Sequence, residues 1–339
     1  MLKIGMHGDT NIGLVRTINE DNFRKIPARD TIVVCDGMGG HAAGEIASLT
    51  AVETVEASLL RDPVAARSRL PELSHPELPE GALELVHSVR LANRRVFLTA
   101  KSQRSMHGMG TTLVAVRFCG GQVAVCHVGD SRVYKFADGV LTPLTVDHSL
   151  LAEWKLRGEI SDEDERNFPE RNIITRALGT RPSVAVDVRI VPAKKNDWYL
   201  LCSDGLCGYV DDRTITKVLN QHPSDPDRAI RGLIDTANHA GGQDNVTVAI
   251  GVIEATDLPS GAAFDAQTIP ETSEEAAHLE AAYLQELFPA AGLENSRPVE
   301  PDTDKIPTLP MLNRAPEPQP EDTTEKPKRG FWPWSSKDE

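Results

Sequence analysis

The chain has 339 residues, of which 40% are apolar and 25% charged, and its formal net charge is −14. This composition is typical of a folded globular protein with one large domain or two ordinary ones. No apolar stretch is long enough to cross a bilayer, no signal-peptide core follows Met1, and no basic patch predicts nucleic-acid binding, so we expect a cytoplasmic protein.

Short runs of β-branched and apolar residues predict the strands of the first 254 residues. In chain order these runs are 31–35, 111–118, 123–129, 132–136, 198–202 and 245–253. The dipeptides Gly120-Gly121 and Asp138-Gly139 stand between neighbouring runs and predict tight hairpins, hence antiparallel pairing.

Apolar residues at three- and four-residue spacing predict helices at about 44–60 and 81–99, with further helices near 214–219 and 226–240. Helices that cover a pair of antiparallel sheets give a layered α+β domain. The five cysteines are an odd number in apolar contexts and form no C-x-x-C pair, so we expect free thiols rather than a disulfide framework or a zinc site.

The composition changes after Glu254. The last 85 residues hold 12 of the 23 prolines, together with 17 acidic and 7 basic residues. We therefore expect an acidic, Pro-rich tail over 255–339 that is largely extended. Within it, a capping box at 272–275 and apolar residues at four-residue spacing predict a short helix at about 273–288. That helix packs either on the body or on a partner.

A basic and then aromatic cluster at 326–334 lies near the end of this tail. Such a cluster is typical of segments that bind a membrane surface or fill a partner's groove, and it is equally compatible with a disordered end that has no partner.

Three aspartates, Asp36, Asp204 and Asp244, each lie at or beside the end of a predicted strand with a glycine within two positions. Carboxylate and carbonyl oxygens are the ligands that Mg²⁺ and Mn²⁺ prefer. Glycine lets the backbone come close, so the carbonyl of Gly37 is a further candidate ligand. The set predicts a divalent metal site built from several segments.

Arg16, Glu20 and Asp21 add a cation and two more carboxylates near the start of the chain. Like charges at this density are unfavourable unless a cation neutralises them, which again favours a metal site. A single Asp-Gly is weak evidence, because Asp-Gly is a common turn, as expected at Asp138.

The chain resembles the metal-dependent serine/threonine protein phosphatases of the PP2C type, in their bacterial form. The resemblance spans roughly residues 3–253, and its matching stretches in chain order are 16–21, 34–45, 108–112, 128–134, 147–149, 172–179, 203–206 and 242–248. It implies a four-layer αββα sandwich of two antiparallel sheets flanked by helices, with the phosphatase domain at 1–254.

The resemblance also implies ligands for two Mn²⁺ or Mg²⁺ ions. Asp36 would bridge the two ions, and Asp204 and Asp244 would complete the shell of one. The Gly37 carbonyl would serve the other, with Glu20 or Asp21 reaching it. A third ion, as in bacterial members, would be held by Asp130 and Asp204.

The implied reaction is the hydrolysis of phosphoserine and phosphothreonine. Arg16 would grip the phosphate, and a hydroxide bridging the two ions would attack phosphorus directly, without a phosphoenzyme. His41 is the candidate that protonates the leaving oxygen, or it merely caps or packs at the start of the next helix. Residues 147–179 would form a mobile flap that His148 orders, whereas His127 is expected in the core.

By family analogy, the partners are phosphorylated proteins and a bacterial serine/threonine kinase that the phosphatase opposes. The alternative is a non-catalytic phosphoprotein-binding scaffold of the same fold. Such a scaffold would be expected to lose one or more of the metal carboxylates, and none is missing from this sequence.

Overall fold

Two antiparallel sheets and the helices on their outer faces make up the part of the chain that the computed structural model describes, residues 2–39, 43–61, 75, 77–160, 170, 173–259 and 261–289. The strands are β1 (Leu2–Asn11), β2 (Asp21–Ile26), β3 (Thr31–Met38), β4 (Gly110–Thr111), β5 (Leu113–Cys119), β6 (Gln122–Val128), β7 (Arg132–Ala137), β8 (Val140–Pro143), β9 (Val186–Pro192), β10 (Trp198–Cys202), β11 (Val246–Thr256) and β12 (Phe264–Ile269).

The first sheet has the strand order β1-β11-β10-β7-β8. The second has the order β12-β9-β6-β5-β3-β2, and β4 pairs with β3 beside that path. The two predicted hairpins are present: Cys119 pairs with Gln122, and Ala137 pairs with Val140. Gly120 and Gly121 take up positive φ angles of 56° and 80°, the conformation that glycine permits in such a turn.

The helices are α1 (Ala43–Leu60), α2 (Glu80–Ser102), α3 (Leu150–Leu156), α4 (Asp204–Cys207), α5 (Asp212–Gln221), α6 (Pro226–His239) and α7 (Glu274–Leu287). One apolar cluster joins α1 and α2 to the second sheet, and another joins α4, α5 and α6 to the first sheet. The predicted α+β sandwich is thereby confirmed.

A third apolar cluster fills the space between the two sheets, and β3 shows why the strands have apolar residues on both faces. Ile32 and Val34 belong to this inner cluster, whereas Val33 and Cys35 belong to the cluster under α1 and α2. Because successive side chains point to opposite faces, a strand buried on both sides must be apolar throughout.

Part of the segment that the sequence assigned to the tail packs on the sandwich. Strand β12 pairs with β9 at the edge of the second sheet. Ser273 caps the N-terminus of α7, and its hydroxyl accepts from the N–H of Ala276. Tyr283 and Leu284 of this helix pack with Leu91 of α2.

Two sequence predictions fall outside the described residues: His41, and the basic and aromatic cluster at 326–334. Within the described ranges, no helix is long and apolar enough to cross a bilayer. All five cysteines are free thiols, as predicted.

Candidate active site

Strand ends from both sheets bring the predicted acidic residues to one rim of the sandwich. Asp21 begins β2 and pairs with Asp36 of β3. Asp204 directly follows Ser203 at the end of β10 and begins the short helix α4. Asp130 lies between β6 and β7, and Asp244 lies two residues before β11.

The carboxyl groups of this cluster are close enough to perturb one another. Burial, followed by repulsion from Asp21 and Asp204, raises the pKa of Asp36 well above its usual range. Burial raises the pKa of Asp21 to about 7 and that of Asp130 to about 7, with Asp204 adding repulsion to both. Burial, followed by repulsion from Asp244, likewise raises the pKa of Asp204.

Several oxygens of the cluster are buried and have no hydrogen-bond partner among the described residues. They are Glu20 Oε1, Asp21 Oδ1 and Asp130 Oδ1. A buried carboxylate oxygen without a partner is costly, and a hard divalent cation would satisfy it. The donor set, all oxygen and all acidic, fits Mg²⁺ or Mn²⁺.

Gly37 contributes through its backbone. A Cβ at this position would overlap the carbonyl oxygens of Gly44 and Glu20, so only glycine fits between the end of β3 and the start of α1. The N–H of Gly37 in turn donates to the Glu20 carbonyl at 3.1 Å. The close approach of three backbone segments keeps Glu20 beside the cluster.

Arg16 lies at the rim of the cluster, in the loop between β1 and β2. Its Nη2 donates to Asp244 Oδ2 at 2.7 Å, and its Nη1 is 3.9 Å from Glu20 Oε2. The side chain is 45% exposed, so it is accessible to solvent while it contacts Asp244.

Asn245, for which the sequence predicted no role, ties the first and last segments of the site together. Its Oδ1 accepts from the N–H of Glu20 at 2.8 Å. Its Nδ2 donates to the carbonyls of Ile12 and Ile18 at 2.9 and 3.0 Å. In the sequence, the feature that could have indicated a role for Asn245 is its position directly after the predicted ligand Asp244.

Buried hydroxyls also position the acidic residues. Ser203 Oγ donates to Asp21 Oδ2 at 2.7 Å and accepts from the N–H of Thr247 at 3.0 Å. Thr112 Oγ1 accepts from the N–H of Asp36 at 3.0 Å and lies 2.7 Å from Ser131 Oγ. These bonds fix where the strand ends present their carboxylates.

A second cluster, His127, His148 and Asp187, lies beside the flap and has its ligand atoms within 4.8 Å of one another. His148 Nδ1 accepts from the N–H of Gly129 at 3.0 Å, and its Nε2 lies 3.2 Å from Asp187 Oδ2. Arg176 donates to Asp187 Oδ1 at 2.6 Å, and a positive charge there disfavours a metal ion.

The hydrogen bonds of this second cluster hold the base of the flap. His127 stacks on His148 with ring centroids 4.4 Å apart, and burial, with His148 adding repulsion, lowers the pKa of His127 to about 4. His127 is therefore neutral near pH 7, and its Nε2–H donates to the Val146 carbonyl at 2.8 Å.

The flap contributes the helix α3, which Ser149 caps by accepting from the N–H of Ala152. An open cavity of about 380 Å³ lies between α3 and β7. On its floor Arg132 makes two hydrogen bonds with Asp147, at 2.8 and 2.7 Å. Asp147, which lines this cavity, also adds to the repulsion that raises the pKa of Asp130.

Comparisons with known proteins agree with this geometry. The family model for protein phosphatase 2C matches residues 15–243. The serine/threonine phosphatase Stp of Listeria monocytogenes is 40% identical over 248 residues, which are 72% of this chain and 94% of that protein. The crystal structure of the Mycobacterium tuberculosis serine/threonine phosphatase PstP matches with a TM-score of 0.66 at 32% identity, over 75% of this chain and 100% of that chain.

A structure of the PstP catalytic domain in complex with two manganese ions matches with a TM-score of 0.61 at 32% identity, over 74% of this chain and 99% of that chain. The relatives are named as enzymes, so a non-catalytic scaffold is not favoured. On the evidence of the fold, the acidic cluster and these relatives, the chain belongs to the protein phosphatase 2C family and is a metal-dependent protein serine/threonine phosphatase.

Proposed function

We propose that this chain hydrolyses phosphoserine and phosphothreonine in proteins with two divalent cations, Mn²⁺ or Mg²⁺, held by the acidic cluster. The observation that carries the proposal is the set of buried carboxylate oxygens without a hydrogen-bond partner, at Glu20, Asp21 and Asp130. The mutual repulsion of these carboxylates and their raised pKa values fit a site that binds divalent cations.

The proposed ligands are Asp36 for both ions, Asp204 and Asp244 for one, and the Gly37 carbonyl with Glu20 or Asp21 for the other. Asp130 and Asp204 are the proposed ligands of a third ion. When bound, divalent cations supply Lewis acidity that lowers the pKa of water and stabilises charge on a phosphoryl group.

Arg16 is proposed to bind the substrate phosphate. Asp244 orients one edge of its guanidinium, and the exposed side retains donors for phosphate oxygens. A planar guanidinium forms two parallel hydrogen bonds with phosphate and so fixes its orientation.

Water, rather than a side-chain hydroxyl, is the proposed nucleophile. Among the described residues, Ser203, Thr112, Thr111 and Ser48 have hydroxyls bonded to the acidic residues, and all four are at most 1% exposed with their hydrogen bonds already made. A hydroxyl so occupied is poorly placed to attack phosphorus, which supports direct hydrolysis without a phosphoenzyme. The proposal keeps His41 as the proton donor to the leaving oxygen.

The test is hydrolysis of a phosphothreonine peptide by the purified full-length chain with Mn²⁺. We expect Asp204→Ala to lose at least ~10²-fold in kcat/KM, since it removes a ligand, and chelation of metal to do the same. The matched control is Asp235→Ala, at an exposed position on α6. Full activity after chelation of metal would contradict the proposed metal-dependent mechanism.

The proposed partner is a serine/threonine kinase in the cytoplasm. The phosphatase would remove the phosphate groups that this kinase adds to its substrates. The names of the relatives support phosphorylated proteins as substrates. A phosphoproteome comparison between cells carrying the wild type and Asp204→Ala would test it. Phosphosites of one kinase should rise together, and an unchanged phosphoproteome would contradict the proposal.

A further inference from the structure

The loop between β1 and β2 exposes four large apolar side chains. Ile12, Leu14, Val15 and Ile18 are 38%, 69%, 56% and 41% exposed. The described part of the chain has 13 exposed large hydrophobic residues, and four of them fall within these seven positions. This concentration differs from the scattered single exposures of an ordinary surface and marks a binding surface.

The loop that carries this apolar rim (Ile12, Leu14, Val15 and Ile18) is firmly held. The N–H groups of Leu14 and Val15 donate to the Gly242 carbonyl at 2.8 and 3.2 Å. Asn245 Nδ2 holds the carbonyls at both ends of the loop. Gly13 has a φ of +80°, and a Cβ there would overlap the Asp244 carbonyl.

A rigid loop that presents apolar side chains loses little conformational entropy when it binds a partner, so the exposure is preorganised rather than a consequence of disorder. The Gly242 carbonyl, which accepts the hydrogen bonds from the loop, lies two residues before Asp244 in the chain. The apolar rim is therefore fixed relative to the acidic cluster.

Arg16 lies within the same loop, between Val15 and Ile18, and contacts Asp244 at 2.7 Å. The exposed side chains of Val15 and Ile18 flank Arg16 in the sequence, so they are available to residues on either side of a phosphate that Arg16 binds. We propose that the apolar rim binds apolar residues flanking the phosphorylated serine or threonine of a protein substrate. This inference rests on the proposed function and adds a sequence preference to it.

Charge around the loop favours the same substrate class. Glu20, Asp244 and Asp204 are the ionisable groups that act on Arg16, and all three are acidic. Arg16 is the only cation in residues 12–20, so the loop offers no further positive charge to acidic residues beside the phosphosite, and polar residues there would leave the apolar rim in water. Apolar flanks bury that surface, while the phosphate alone supplies the charge for Arg16.

The experiment compares two phosphothreonine peptides of equal charge and length, one with Leu and Val flanking the phosphothreonine and one with Ser at those positions. For the wild type with Mn²⁺ we expect kcat/KM about tenfold higher for the apolar-flanked peptide, mainly through a lower KM, as burial of one or two aliphatic side chains predicts. Turnover of p-nitrophenyl phosphate, which has no flanking residues, is measured with the same enzyme preparations.

Leu14→Ser and Val15→Ser are expected to reduce that tenfold preference to less than threefold. The matched control is Val140→Ser, which removes a similarly exposed valine, 61% exposed, from the far end of the β7–β8 hairpin, and it should keep the preference.

Binding of labelled phosphonate analogues of both peptides, followed by fluorescence anisotropy, separates the two proposals. Selective binding without any hydrolysis would refute the proposed function and leave this inference standing. Equal kcat/KM and equal affinity for the two peptides in the wild type would overturn the inference and leave the function standing. A dimer that Leu14→Ser dissociates, with unchanged peptide preference, would assign the rim to a second copy of the chain and also overturn it.

Discussion

At the scale of single residues, the site depends on side chains that bring distant segments together. Asp36, Asp204 and Asp244 could be singled out from the sequence, because an aspartate beside glycine at a strand end is a local pattern. Asn245 and Ser203 could not be assigned a role, since the groups they bind, in residues 12–21, are more than 180 positions away. Hydrogen bonds between residues so far apart in the chain produce no recognisable spacing pattern in the sequence.

Asn245→Ala is expected to destabilise the protein by roughly 1–3 kcal/mol, because three backbone groups lose their partner. It should also lower kcat/KM, since Glu20 and the Arg16 loop lose their anchor. Urea unfolding and peptide hydrolysis measure the two effects. Asn220→Ala, which removes exposed hydrogen bonds to Gly139 and Thr216, is the control and should change both far less.

The raised pKa of Asp130 makes the stability of the metal-free protein depend on pH. Burial and Asp204 raise this pKa from 3.8 to about 7, so the folded state holds a proton between these values that the unfolded state has released. The free energy of unfolding therefore falls as pH rises through this range, and the contribution is lost above about pH 7.

We expect Asp130→Asn to flatten the dependence of Tm on pH between pH 5 and 8 in the presence of a chelator. Asp9→Asn, at an exposed position on β1, should leave the dependence as in the wild type. The same slope in wild type and Asp130→Asn would contradict this account of the cluster.

At the scale of elements, periodicity predicted the long helices and six strands (β3, β5, β6, β7, β10 and β11), because two-sided or one-sided burial imposes a pattern on the sequence. It did not predict β1 and β9, in which polar residues interrupt the apolar ones. It also did not predict β2 (DNFRKI) or β12 (FDAQTI), whose mixed side chains pair with the edges of β3 and β9. The seven-residue helix α3 was also missed, since it is too short to establish a period.

Helix α7 is held to α2 by a small apolar contact, which can be tested with two of its three leucines. Leu284 is fully buried beside Leu91, whereas Leu279 on the same helix is 47% exposed. Leu284→Ala should cost about 2–4 kcal/mol in the free energy of unfolding, and Leu279→Ala well under 1 kcal/mol. Similar losses in the two variants would show that α7 does not dock as described.

At the scale of the whole molecule, β12 and α7 lie outside the residues that the family model matches, yet they belong to the compact unit that ends at residue 294. The predicted division into a phosphatase domain at 1–254 and a tail at 255–339 thus stays a prediction. Two truncations test where the boundary lies.

A chain ending at residue 294 is expected to keep the Tm and peptide hydrolysis of the full chain, because every described contact is retained. A chain ending at residue 256 exposes Leu91 and the edge of β9, and it should unfold at least several degrees lower or aggregate. Equal stability of the two truncations would place the boundary at residue 254, as the sequence predicted.

The pairing of β1 with β11, in which Leu2 lies opposite Thr256, has a consequence for synthesis of the protein. Strand β11 lies between β1 and β10, so β1 cannot join the first sheet until residue 256 has left the ribosome. Asp244 and Asn245 precede that strand directly. A nascent chain therefore carries Asp21 and Asp36 for most of its translation without a completed cation site, and the enzyme acquires its activity only when nearly the whole fold can close.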